Sequence, residues 1–270
     1  MIAALPVLIA MIAIGLYILY NRWRDKALRE RPFPDAWQTI LENRLPVYGV
    51  LSTDEQRRLQ QLITFFIAKK KFYGCAGLTI TDEMRILIAA EACLLLLNKK
   101  GSGYSKLKAI LIYPTAFKVD REQQLADGTV VSGSQGMLGE SWGNGRVILS
   151  WDDVEKGARD FSDGHNVVLH EFAHQLDAES GSTNGAPPLR RNSYGAWARV
   201  FSENFEDLGA RSINGLTTVM DDYGTTNPAE FFAVATETFF EKPHQLSKHR
   251  PELYEQLKIY YQLDPASWQD

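Results

Sequence analysis

The chain has 270 residues, 29 basic and 33 acidic side chains for a formal net charge of −4, and 45% hydrophobic residues. That apolar content is enough for a packed core and excludes wholesale disorder, while the lack of surplus positive charge excludes a general nucleic-acid binder. Two cysteines, Cys75 and Cys93, exclude a disulfide scaffold and a cysteine-built zinc cluster; one disulfide is open to them, but their apolar or small neighbours favour two buried thiols.

Residues Ile2 to Tyr20 carry no charge. As a helix this run spans about 28 Å, close to the hydrocarbon core of a bilayer, with Tyr17, Tyr20 and Trp23 placed for an interface. Nothing basic precedes it except the amino terminus, whereas Arg22, Arg24, Lys26, Arg29 and Arg31 follow. This order argues against a cleaved signal and for a retained anchor over residues 1–21, amino terminus outside. A basic juxtamembrane linker over 22–34, closed by Pro32 and Pro34, then leads to a domain over 35–270 on the cytoplasmic side of a bacterial inner membrane.

In that domain Asp35 opens a helix over 35–45, and Ser52-Thr53-Asp54-Glu55 opens one to about Lys70 with Leu59, Leu62, Ile63, Phe66 and Ile67 at helical spacing. Lys69 to Lys71 reads as a solvated helix end. Thr81 caps a buried helix near 82–98. Strand signals follow at 109–113, 116–120, 129–132 (after a turn at Asp127-Gly128) and 147–151. Helical patterns then run over about 164–178, 192–208, 228–241 and 250–262. Helices, a small cluster of strands and helices again predict a mainly helical α+β domain with a small mixed sheet.

The run His170-Glu171-Phe172-Ala173-His174 carries the chemistry. Histidines four apart share one helix face, so both rings can bind one zinc ion, with Glu171 beside it to accept a proton from water. The other histidines, His165, His244 and His249, read as surface residues. A catalytic zinc site takes a third protein ligand, and no third histidine follows at metzincin spacing. Glu230, in Asn227-Pro228-Ala229-Glu230, stands where a capping-box glutamate bonds back to its cap and equally where a second helix would offer a ligand. Glu237, seven residues on, is either a substitute ligand or a residue that orients a ligating histidine. Asp177 is either such an orienting group or a plain exposed acid. Gly139-Glu140-Ser141-Trp142 and the strand 146–151 are candidates to pair with an extended peptide.

Asn166 to Asp177, Asn184-Gly185-Ala186-Pro187 and Asn227 to Val234, with Ile112-Tyr113-Pro114, Leu149 to Val154 and Leu263-Asp264-Pro265, resemble the Mlc titration factor A family of zinc-dependent peptidases. The resemblance covers roughly residues 35–265. It implies a zincin-like metallopeptidase fold, one zinc ion (Zn2+) held by His170, His174 and Glu230, and Glu171 as general base. The tyrosine before Glu230 is also placed as in the catalytic domain of lethal factor toxin, which implies that Tyr223 hydrogen-bonds the oxyanion. Family members are cytoplasmic, have aminopeptidase-like activity on peptide substrates and bind the repressor Mlc, so a transcriptional regulator is the implied protein partner. A binding regulator with little catalysis is the alternative reading, and a non-peptide amidohydrolase a weaker one. The chain departs from the family in its apolar start and in Val234, which leaves Glu237 to supply any carboxylate behind the ligands.

Overall fold

Four side-chain caps start the helices on which the rest is built. Ser52 and Glu55 form a reciprocal capping box, with the Glu55 carboxylate 2.9 Å from the Ser52 amide. Thr81, Asn166 and Asn227 each accept amide protons from the first turn of their helices. Each cap satisfies donors that a helix start leaves open, worth about 1 kcal/mol apiece.

The computed structural model describes residues 4–99, 103–115, 121–124, 130–133 and 145–268. In chain order they form α1 (Ala4–Arg29), α2 (Asp35–Arg44), α3 (Pro46–Val50), α4 (Thr53–Lys69), β1 (Lys71–Gly74), α5 (Asp82–Leu94), β2 (Ala109–Tyr113), β3 (Arg121–Gln124), β4 (Val130–Gly133), β5 (Arg146–Ser150), α6 (Trp151–Arg159), α7 (Val167–Ala178), α8 (Tyr194–Ile213), α9 (Pro228–Glu241), α10 (Pro243–His249) and α11 (Pro251–Tyr261), with 3-10 turns at Asp222–Thr225 and Pro265–Trp268. The mainly helical α+β architecture is as predicted.

The sheet differs from the mixed one expected. β1, β2 and β5 lie in that order and both pairings are parallel, Lys71 opposite Ala109 and Ala109 opposite Arg146. Parallel neighbours need a long crossover, and α5 supplies it between β1 and β2. The antiparallel pair β3–β4 is a separate ribbon. β1 replaces the helix end expected at Lys71; it is short and largely exposed, the form in which edge strands keep their charge. The strand expected at 116–120, the turn at Asp127-Gly128 and the segment 139–142 lie outside the described residues.

The apolar start also needs correction. Among the described residues no helix is long and apolar enough to cross a membrane, so the anchor over 1–21 and the inner-membrane placement built on it are not supported. The helix does not end where charge begins. It continues unbroken to Arg29, and Arg22, Arg24, Asp25, Lys26 and Arg29 fall in its last eight positions. Two residues of that charged end pack on α4: Asp25 Oδ1 lies 2.5 Å from Lys69 Nζ, and the Arg29 guanidinium stands 4.2 Å over the Phe65 ring.

The core gathers on α4, α5, α7 and α9. Nearly all of α9 is buried, Ala229 through Glu241. On α7, Phe172 points away from the two histidines into an aromatic cluster, its ring 4.9 Å from Tyr104 and 5.7 Å from Phe66. A fully buried aromatic of this kind contributes on the order of 2–3 kcal/mol. It seats α7 so that the opposite face, with His170 and His174, turns to the first turn of α9. Cys93 is buried and Cys75 half-buried, both free thiols.

Candidate metal centre

The two helices bring three donor atoms to one point. Nε2 of His170 lies 2.9 Å from Oε2 of Glu230, Nε2 of His174 lies 3.3 Å from the same oxygen, and the two Nε2 atoms are 3.2 Å apart. Zinc–ligand bonds of about 2.0–2.1 Å at a tetrahedral angle set such donors about 3.3 Å from one another. The triangle therefore matches one face of a tetrahedron, and His170, His174 and Glu230 could hold a metal ion.

Glu230 can do this because it is not used as a cap. Asn227 alone accepts from the amides of Ala229 and Glu230, at 2.9 and 3.0 Å. Pro228, with no N–H to satisfy, fits the first helical position. The Glu230 carboxylate is left for the histidines, which settles where it points. Burial by itself would raise its pKa, but hydrogen bonds from His170 and His174 outweigh that and hold it at about 2. Burial likewise favours neutral His170, yet Glu230, Glu237 and the nearby charge of Glu171 carry its pKa up to about 10. Burial dominates at His174 and lowers it to about 4. Cationic charge is thus strongly favoured between these carboxylates, whether a proton or a metal supplies it.

Glu237 is not at the apex of the triangle. Its Oε1 lies 2.7 Å from His170 Nδ1, and its Oε2 accepts the Asn166 amide at 2.6 Å. It orients the histidine from behind. Asn166 is the hub of this layer: its Oδ1 caps α7 through the Leu169 amide at 2.9 Å and its Nδ2 donates to Glu91 Oε1 at 3.0 Å. Glu241 closes the group by accepting from the Gly164 amide at 2.8 Å.

Glu91 and Glu241 are buried carboxyls. Burial pushes Glu91 up to about 8 and Glu241 to about 9. The native state therefore binds more protons than the unfolded chain between the ordinary value of 4.5 and about 8 or 9. Stability falls as pH rises through that window and levels off above it. Glu91→Gln keeps an acceptor for Asn166 and has no proton to lose. It is expected to remove up to about 1.4 kcal/mol per pH unit of that slope, read as urea midpoints of both proteins from pH 5 to pH 9. Parallel curves would contradict a protonated Glu91.

Glu171 is fully buried on α7, and its charge bears on both His170 and Tyr223. Tyr223, on the 3-10 turn, is half-exposed, with its ring centroid 6.0 Å from that of His170. Its hydroxyl pKa is raised by burial and then by Glu230 and Glu171, so it stays a proton donor. Tyr223, His170, Glu237 and Val234 line a cleft of about 320 Å³ with Asp153, Lys156, His165 and Asp221. The site thus has three donors that could hold a metal ion, a buried carboxylate, a hydroxyl and an open cleft.

The sequence profile of the glucose-regulated metallo-peptidase M90 family matches residues 20–262. This chain belongs to the M90 metallo-peptidase family. Two relatives are each named Mlc titration factor A. That of Serratia proteamaculans is 33% identical over 86% of this chain and 88% of its own, and that of Yersinia pestis (strain Pestoides F) 32% identical over 86% and 85%. An uncharacterised protein of Synechocystis sp. is 44% identical over 97% of this chain and 96% of its own.

Within this M90 chain His170, Glu171, His174, Glu230 and Tyr223 all meet at one site. His165, His244 and His249 are exposed, as expected, although His165 lines the cleft. Asp177 is neither exposed nor behind a histidine; it is fully buried and accepts the Gly185 amide at 2.7 Å. Sequence reasoning missed Asn166, Glu91 and Glu241 as a supporting layer. The signal for Glu91 was present: a lone acid in the otherwise apolar run of α5 needs a buried partner.

Proposed function

We propose that the protein is a zinc-dependent peptidase of aminopeptidase-like action, with His170, His174 and Glu230 as the ligands. The observation that carries this reading is the donor triangle of two imidazole nitrogens and one carboxylate oxygen, 2.9–3.3 Å on a side. Two histidines and a glutamate are a zinc donor set that leaves a fourth position open. Bound there, zinc supplies Lewis acidity that polarises the scissile carbonyl and acidifies the attacking water.

The chain's own residues do the rest. Glu171 takes the proton from the water and passes it to the departing amine, so no free ion is released into a buried site. Tyr223 donates its hydroxyl proton in a hydrogen bond to the oxygen that becomes negative as the carbonyl is attacked. Glu237 keeps the His170 proton on Nδ1, so that Nε2 presents its lone pair. Substrate enters by the cleft of about 320 Å³ beside Tyr223, and β5, an edge strand among the described residues, is where an extended peptide would pair.

A second reading has its own support. The relatives' name, Mlc titration factor A, fits a protein that binds a transcriptional regulator, with the metal site helping to shape the surface. One experiment separates the two. Purified chain is expected to carry one zinc ion, lose peptide hydrolysis with a chelator and regain it with added zinc, while His174→Ala carries none. Zinc bound with no hydrolysis of any peptide would favour the regulator, and equal zinc in wild type and His174→Ala would remove the site.

A further inference from the structure

The motif Asn184-Gly185-Ala186-Pro187 is tied to both helices of the site. Asp177 lies on α7 three residues past His174, and its Oδ2 accepts the Gly185 amide at 2.7 Å. Within the loop the Ala186 amide donates to Asn184 Oδ1 at 3.1 Å. The Gly185 carbonyl accepts the Trp197 indole N–H at 2.9 Å. Trp197 is buried on α8, stacked on Phe201 with centroids 3.9 Å apart and edge-on to Phe232 of α9 at 5.8 Å.

Gly185 itself is pressed against the start of α9. Its φ is +78°, and a Cβ there would stand 2.3 Å from the Pro228 carbonyl oxygen. No side chain fits that gap, and an L residue would also be strained at that φ. Pro228 is the first residue of α9, and Glu230 sits in that same turn. The loop is therefore a spacer: α7 grips it through Asp177, α8 through Trp197, and α9 rests its first turn on Gly185.

We propose that Asp177 and Gly185 are positioning residues that set the distance between the histidine pair on α7 and Glu230 on α9. The proposal rests on the reading of Glu230 as a metal ligand. The pair acts through α9 and touches neither metal nor substrate. A displacement of the α9 first turn by a fraction of an ångström opens the donor triangle on the Glu230 side and leaves the two histidines, which share one helix, unmoved.

The test uses the full chain, with Gly185→Ala, Asp177→Ala, Trp197→Phe and the conservative Asp177→Asn, all measured well below their unfolding temperatures. Zinc affinity is read by chelator competition, and the donor geometry by the visible absorption of the cobalt-substituted protein. Gly185→Ala and Asp177→Ala are expected to bind zinc about 10-fold or more weakly with an altered cobalt spectrum. Asp177→Asn, which still accepts the Gly185 amide, should stay within about threefold of wild type. If Gly185→Ala does not fold, Asp177→Ala and Trp197→Phe decide the matter, the latter by the cobalt spectrum. Folded Gly185→Ala and Asp177→Ala with wild-type affinity and spectrum would overturn the proposal. Failure of wild type to take up zinc would instead defeat the ligand reading. The spacer is then judged on metal-free crystal structures: a Glu230 displaced from His174 in Gly185→Ala supports it, and an unmoved Glu230 refutes it.

Discussion

Glu171→Gln is expected to keep its zinc and to lose hydrolysis by a factor of about 10²–10⁴, on the order of 3–5 kcal/mol in the barrier. Glutamine has the shape of glutamate and a similar helix propensity, so α7 and its Asn166 cap are undisturbed. It leaves His170 and His174, one turn apart on the same helix, where they are. What it removes is a basic oxygen: a carboxamide does not accept a proton near neutral pH. The carboxylate is fully buried, and its charge reaches both His170 and Tyr223. Metal content and turnover of the same preparation make the check. Full turnover with zinc in place would remove Glu171 as the base, and loss of zinc would make it part of the metal's support instead.

The parts of this protein that could be read from sequence are those fixed by near neighbours. The Ser52–Glu55 box, the Asn227-Pro228 start and the His170–His174 spacing depend on residues within one turn of each other, and all appear in the structure as expected. Glu230 was legible only as a choice. Its position suits a cap and a ligand alike, and the outcome depends on where α7 packs. Longer-range features were not legible. Asn166 is held by Glu91 and Glu237, 75 and 71 residues away, and no local pattern encodes such a meeting. β1 was hidden because an exposed edge strand of four residues has neither an apolar run nor alternation. The reading of residues 2–20 as a span rested on an uncharged run of bilayer length and on the basic residues after it. In the structure the helix continues through five charged residues to Arg29, and the last of them, with Asp25, packs on α4.

The prediction with the clearest chemical logic after Glu171 concerns Glu237, because both of its oxygens face donors. One accepts the Asn166 amide at 2.6 Å, and the other takes the Nδ1 proton of His170 at 2.7 Å. Glutamine offers one acceptor and one donor. The Asn166 amide is fixed as a donor and claims the oxygen, which leaves an NH₂ group facing Nδ1. The ring can meet that group only by turning Nδ1 into an acceptor and moving its proton to Nε2. Nε2 is the atom 2.9 Å from Glu230, and once protonated it has no lone pair for a metal. Glu237→Gln is therefore expected to weaken zinc binding about 10- to 100-fold, although it changes no ligand and keeps the volume of the side chain. Glu237→Asp keeps both acceptors on a shorter stem and should bind zinc more tightly than the Gln variant. Chelator competition measures both affinities, and nitrogen-detected NMR of the histidine rings reads the tautomer directly. If Glu237→Gln bound zinc as tightly as wild type, the carboxylate would be no more than packing behind the ring. If affinity fell without a change of tautomer, the loss would come from the missing charge rather than from the misplaced proton.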